Sequence, residues 1–184
     1  MTTQSTYQKA MKFAAEAHAK QKVPGSPANY LLHISNVVME IILAHHNEPT
    51  FDLEFAIEVG ALHDVLEDVE EITEEVLLEN FSNEVVEAVK TLTKDDRIKD
   101  KDLKLLDSLN RIASSKFKEA SIVKLADRIT NLQPPPPHWS EGKCKAYAEQ
   151  AKVILSKLGT SNVYLSTRLK NQINFYSNLK TILK

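Results

Sequence analysis

Apolar residues recur along this chain every third or fourth position, in blocks cut by prolines, glycines and side chains suited to capping helices. Over residues 7–21, Met11, Phe13, Ala14, Ala17 and His18 share helical spacing, until Val23-Pro24-Gly25-Ser26-Pro27 halts the pattern, because two prolines and a glycine cannot continue a helix. A second helix is predicted over 30–45, where Leu31, Ile34, Val37, Val38, Ile41 and Ile42 make a wide apolar stripe. Asp52 is placed to cap a third over 53–67, with Phe55, Ala56, Val59, Leu62 and Leu66 facing inward. Thr73 before Glu74 and Glu75 marks another start, acids being favoured at the positive end of the helix dipole. So does Ser82 before Val85, Val86, Val89 and Leu92. The stretch 94–104, dense in Lys, Asp and Arg, reads as an exposed loop leading into a short helix. A helix over 117–131 turns Ile122, Leu125 and Ala126 inward. Pro134 to Pro137 favour an extended polyproline segment. Ser140 caps a helix reaching residue 158, which Gly159 ends, and a last helix is predicted over 163–183.

The pattern predicts an all-α fold, a compact bundle of about eight to ten helices. No repeat and no shift in composition divides residues 1–184, so a single domain is expected. Composition agrees: 42% of the 184 residues are hydrophobic, enough for a substantial core, and only four are Gly. The formal net charge of −2 supplies no global basic field for nucleic acid, so an anionic ligand needs a locally positive pocket. Cys144, the one cysteine, cannot form an intrachain disulfide and suits a reducing cytosol; its neighbours Lys143 and Lys145 do not by themselves make it reactive. No signal-peptide core follows Met1, and no apolar run approaches the roughly 20 residues that span a bilayer. A soluble, cytoplasmic protein is expected, with its oligomeric state left open.

The candidate chemistry sits in Ala61-Leu62-His63-Asp64-Val65-Leu66-Glu67-Asp68. An imidazole beside a carboxylate can share one metal ion, and adjacent helical residues point about 100° apart, so both can reach an ion over the edge between them. His33 and Asp127 also lie in apolar helical segments, where an unpaired imidazole or carboxylate is costly to bury. Taken singly, His33 fits a core histidine and Asp127 a partner for Arg128; taken together, His33, His63, Asp64 and Asp127 are a candidate metal set. Mixed nitrogen and oxygen donors suit Mn²⁺, Fe²⁺ or Zn²⁺ better than Mg²⁺. Four protein ligands leave room for a water and a phosphate oxygen. Glu67 and Asp68 follow one turn later and should project on the same side, as a proton carrier and a positioner of water, or else as a solvated helix end running into Glu70 and Glu71.

The order His33, His63-Asp64, Asp127 resembles the HD superfamily of metal-dependent phosphohydrolases. The Glu67-Asp68 pair is similar to that of its alarmone hydrolases, the (p)ppGpp pyrophosphohydrolases related to the hydrolase half of RelA/SpoT proteins and to metazoan SpoT homologues. The resemblance spans nearly the whole chain: Phe13 to His18, Tyr30 to His33, Gly60 to Asp68, Val85 to Lys94, Val123 to Leu132, then Trp139-Ser140 with Tyr147 and Ala151. It implies an HD-type helical bundle, a free-standing hydrolase with no synthetase or regulatory domain, Mn²⁺ as cofactor, and removal of the 3′-pyrophosphate from a nucleotide alarmone. After the first helix the family commonly carries a Gln-Arg-Arg-Lys-like cluster, where this chain reads Gln21-Lys22-Val23-Pro24. A guanidinium stacks on a base and grips phosphate bidentately, and Lys does not reproduce that, so (p)ppApp stands beside (p)ppGpp as a candidate substrate. Another nucleotide or dinucleotide phosphate is the alternative. Lys22, Lys94, Arg97, Lys143 and Tyr147 are candidates for substrate phosphates, and Asn131, one turn after Asp127, for a substrate hydrogen bond or a helix-end cap. His18 is expected to make an internal hydrogen bond, and His45-His46 to complement a helix C-terminus.

Overall fold

A computed structural model describes residues 2–136 and 139–177. Its ten α-helices are α1 (Thr3–Ala17), α2 (Leu31–Asn47), α3 (Leu53–Leu62), α4 (Val65–Asp68), α5 (Glu74–Leu78), α6 (Asn83–Leu92), α7 (Lys101–Ser114), α8 (Lys118–Asn131), α9 (Glu141–Leu158) and α10 (Val163–Ser177). The only strand-like feature among the described residues is an isolated bridge between Lys22 and Asn29. The expected all-α bundle is what forms.

The starts follow from side-chain caps. Asp52, Thr73, Ser82 and Ser140 each accept a hydrogen bond from a backbone N–H in the first turn of the helix they precede. His45 and His46 fall in the last turn of α2. α8 is the axis of the bundle, packed by α2, α3, α6, α9 and α10. Every residue from Ala120 to Thr130 is buried, polar ones included. To the same core α2 contributes Ile34, Val37, Val38 and Ile41, and α3 contributes Ala56, Ile57, Val59, Ala61 and Leu62, all buried. The approach of α2 to α3 is close at Gly60, where a Cβ would come within 2.4 Å of Ile41 Cδ1.

Four expectations are corrected. The first helix stops at Ala17, and residues 18–30 form the loop that Asn29 ties down by donating to the His18 and Ala19 carbonyls. The third helix does not run to residue 67: it ends at Leu62, and α4 restarts after Asp64. After the charged loop comes no short helix but α7, fourteen residues long, capped by Asp100 and buried through Leu105, Leu109 and Ile112. Charge density hid that stripe. Gly159 ends α9 with φ −63° and passes into a 3-10 turn, so no left-handed cap is used. Pro134 to Pro136 lie outside any helix, as expected. Pro137, His138 and positions 178–183 of the last predicted helix lie outside the described residues. No helix among the described residues is long and apolar enough to cross a membrane.

Candidate metal centre

The break between α3 and α4 is built by the two residues of chemical interest. His63 turns its ring back and Nδ1 lies 2.8 Å from the Gly60 carbonyl, so Nδ1–H satisfies an acceptor that the end of α3 leaves free. In the neutral ring Nε2 then carries a lone pair, and it faces Asp64 Oδ2 at 2.9 Å. Two electron-rich atoms at that distance repel unless a proton or a cation lies between them. Burial resists charging of His63, but Asp64 and Asp127 outweigh it and push its pKa up to about 9.

The remaining members arrive from other helices. His33 of α2 brings Nε2 to 3.7 Å from Asp64 Oδ2 and 3.6 Å from Asp127 Oδ1; Asp127, on α8, lies 3.9 Å from His63 Nε2 through the same oxygen. His33, His63 and Asp127 are all buried, and neither Nε2 has a hydrogen-bond partner of proper geometry. Metal–ligand bonds of about 2.0–2.2 Å put adjacent donors about 3 Å apart and opposite ones about 4 Å apart. The separations of 2.9–3.9 Å here match that window, and two orphaned imidazole nitrogens facing two carboxylates are a donor set a divalent ion fits. A tight cluster of His33, His63 and Asp64 is its nucleus, with Asp127 facing both imidazoles.

Three neighbours hold these ligand candidates. Tyr30 donates its hydroxyl to Asp64 Oδ2 at 2.6 Å. Lys124 donates to Asp127 Oδ2 at 2.9 Å, and the Asn131 amide donates to Asp127 Oδ1. Burial opposes the charge on Asp64, but His63 and Tyr30 hold its pKa well below the carboxylate range. Lys124 and His63 do the same for Asp127, also against burial. Burial raises the Tyr30 hydroxyl, with Asp64 adding to the effect, and lowers the His33 imidazole. Lys124 was not singled out from the sequence. Its signal was there: a lysine one turn before Asp127, among apolar residues.

Glu67 and Asp68 do not project together. Because α3 ends before them they belong to α4, and their carboxylates are drawn apart: Glu67 to Lys94, Asp68 to the Gln21 amide at 2.8 Å. Burial lifts the Asp68 pKa above the usual carboxylate value, with the Gln21 hydrogen bond opposing. Burial works against the Lys94 charge, but Glu67, backed by Asp64 and Asp127, keeps its pKa raised.

A cleft of about 480 Å³ opens beside His33, lined also by Val23 to Ser26, Asn131, Pro134 to Pro136, Trp139, Tyr147 and Tyr176, with no Lys or Arg among the described lining residues. Asn131 and Tyr147, two of the substrate candidates, both line this cleft. Lys94 lies outside this lining but is engaged by Glu67 and feels Asp64 and Asp127, while Arg97, Lys143 and Lys22 are not among the lining residues. Arg97 is 92% exposed and forks onto Asp95, because its loop faces solvent. Lys143 stands over the Trp139 ring at 4.0 Å on the exposed start of α9. Lys22 is exposed, held in its backbone bridge to Asn29. Arg128, weighed from the sequence only as a partner for Asp127, is instead buried and stacks over Tyr147 at 4.5 Å, bracing the cleft wall. Nε and Nη1 of this guanidinium find no partner.

A family model for the HD domain matches residues 10–161, a stretch containing all four ligand candidates. The chain belongs to the HD domain family. No curated protein matches this HD chain significantly in sequence. Among solved structures it is similar to a metazoan ortholog of SpoT, described as hydrolysing ppGpp and playing a role in starvation responses. The TM-score is 0.78 at 24% sequence identity, with 92% of this chain and 94% of that chain covered. At that identity the likeness establishes the shared fold over most of both chains.

Proposed function

We propose that this HD-domain protein is a metal-dependent pyrophosphohydrolase that removes the 3′-pyrophosphate from a (p)ppGpp- or (p)ppApp-type alarmone. One observation carries the reading: His63 Nε2, left bare by the bond of Nδ1–H to Gly60, meets Asp64 at 2.9 Å with His33 and Asp127 closing around them. Family membership supports a hydrolase, and the SpoT ortholog of the same fold supports an alarmone. His33, His63, Asp64 and Asp127 would hold a divalent ion; the mixed donors suit Mn²⁺, Fe²⁺ or Zn²⁺, and the resemblance to alarmone hydrolases favours Mn²⁺. Bound there, the ion polarises a phosphoryl oxygen and makes water more acidic.

The chain's own residues do the rest. Lys94, kept protonated by Glu67, offers positive charge to the pyrophosphate beside the centre. Asp68, raised by burial and held by a neutral amide rather than a cation, is suited to take the proton of the attacking water. Glu67, anchored to Lys94, orients that water. In the reaction water oxygen bonds to phosphorus as Asp68 takes its proton, the bond from phosphorus to the 3′ oxygen breaks, the freed 3′ oxygen takes up a proton from solvent to become a hydroxyl, and pyrophosphate departs. Asn131 and Tyr147 line the cleft for the nucleoside. Its walls of proline and aromatic rings take a flat base without a guanidinium, which admits adenine beside guanine. As second reading, membership of the HD family also fits hydrolysis of another nucleotide phosphoester.

Pure protein loaded with Mn²⁺ should release pyrophosphate from (p)ppGpp, (p)ppApp or both. Release from neither, with turnover of other nucleotides in a wider panel, replaces the first reading by the second.

A further inference from the structure

Asp68 ends a four-residue helix, its carboxyl partly desolvated by its surroundings yet the residue still exposed, so an aspartate there is free to swing among rotamers. Here one neutral side chain holds it. Gln21 is fixed at both ends of its backbone: its N–H donates to the His18 carbonyl and its carbonyl accepts from Tyr30 N–H, both at 3.0 Å. From that anchored position Gln21 Nε2 donates to Asp68 Oδ2 at 2.8 Å, and Gln21 Oε1 lies 2.6 Å from His18 Nδ1. The direction of the chain is forced. A carboxylate only accepts, so the amide nitrogen faces Asp68 and the amide oxygen faces His18. His18 must then carry its proton on Nδ1, which leaves Nε2 bare, buried and unpartnered. The His18 ring also packs on Tyr30, centroids 5.0 Å apart, and Tyr30 holds Asp64.

We propose that Gln21, oriented by His18, is a positioning residue for Asp68, so that the loop after α1 aims both Asp64, through Tyr30, and Asp68, through Gln21. This rests on the reading of Asp68 as proton carrier in the proposed reaction. A neutral donor fixes the rotamer without adding charge, which a lysine or arginine at position 21 would not do.

The chain of hydrogen bonds is testable without substrate. Long-range ¹H–¹⁵N correlation spectra of the protein should show His18 protonated on Nδ1, and Gln21→Leu should return it to the Nε2–H form that free imidazole side chains favour. An Nε2–H form in the parent protein overturns the proposal. With whichever phosphoester the Mn²⁺-loaded protein turns over, Gln21→Leu should lower kcat about 10- to 100-fold. KM and Mn²⁺ affinity should stay within about twofold, since Gln21 neither lines the cleft nor faces the metal candidates. Gln21→Glu keeps the shape but sets an oxygen against Asp68, and should lose as much should the leucine variant not fold. His18→Asn, whose amide N–H replaces Nδ1–H, should recover more of kcat than His18→Ala. A kcat within twofold of the parent in both Gln21 variants overturns the proposal. Failure to cleave any alarmone overturns the substrate reading instead and leaves the tautomer result standing.

Discussion

Replacing Lys124 by Met should destabilise the metal-free protein far more than the metal-loaded one. Lys124 Nζ sits 2.9 Å from Asp127 Oδ2, and both residues are over nine-tenths buried, at 9% and 6% exposure. Methionine fills the space of the aliphatic stem, so little packing is lost and the effect isolates the charge. Removing one partner of a buried pair costs about 3–5 kcal/mol, because the other charge is stranded. Asn131 still donates to Asp127, which places the expected loss near ~3 kcal/mol. A divalent ion against Asp127 Oδ1 supplies the missing counter-charge, and it no longer competes with a neighbouring ammonium. By linkage, each ~1.4 kcal/mol of penalty the ion removes appears as about tenfold tighter metal binding. Urea unfolding with a chelator and with saturating Mn²⁺, paired with a Mn²⁺ titration of both proteins, measures all sides of the cycle. Equal destabilisation with and without Mn²⁺ would refute the placement of an ion at Asp127. A loss under about 1 kcal/mol in chelator would refute the pair itself.

Gly60→Ala forces a Cβ to 2.4 Å from Ile41 Cδ1, so it should cost about 1–3 kcal/mol despite the better helix propensity of alanine. Adding Ile41→Val, which removes the clashing methyl, should recover part of it in thermal unfolding. Glu58 is half-buried, and burial raises its pKa above the ordinary 4.5, with Lys9 opposing. Folding therefore disfavours its ionised form: its contribution to stability is complete below the ordinary value and is lost as pH rises through the folded one. Glu58→Gln should thus match the parent near pH 3.5 and become progressively more stable than it towards pH 7; a constant difference in urea unfolding would contradict this. Lys94→Ala, which strips Glu67 of its partner, should lower kcat/KM about tenfold or more, whereas the solvent-facing Arg97→Ala should leave it within about twofold.

The parts of the fold legible in the sequence are those written by local chemistry. Asp52, Thr73, Ser82 and Ser140 cap where they stand because a short oxygen-bearing side chain before an apolar run has few other uses. The ligand candidates were legible because imidazoles and carboxylates amid apolar helical residues need a reason to be buried. The break at His63 was not, since Leu62, Val65 and Leu66 continue the apolar pattern across it and only the ring's return to Gly60 ends the helix. α7 was obscured because Lys101, Asp102 and Lys104 crowd its start, while Leu105, Leu109 and Ile112 carry the buried stripe further on. The partners Lys124–Asp127 share one helix turn, but Gln21–Asp68 and Lys94–Glu67 join residues far apart in the chain, and no spacing rule connects those.

α8 is buried from Ala120 to Thr130 and also carries the ligand candidate Asp127 with Lys124 and Arg128, so the rod that fills the interior also bears part of the candidate site. Substitutions along it will trade folding against turnover, and selection cannot adjust one alone. If the cleft takes the substrate, new specificities should instead arise at its mouth, among Val23 to Ser26 and Pro134 to Pro136, where the backbone lies outside any helix and the interior is spared.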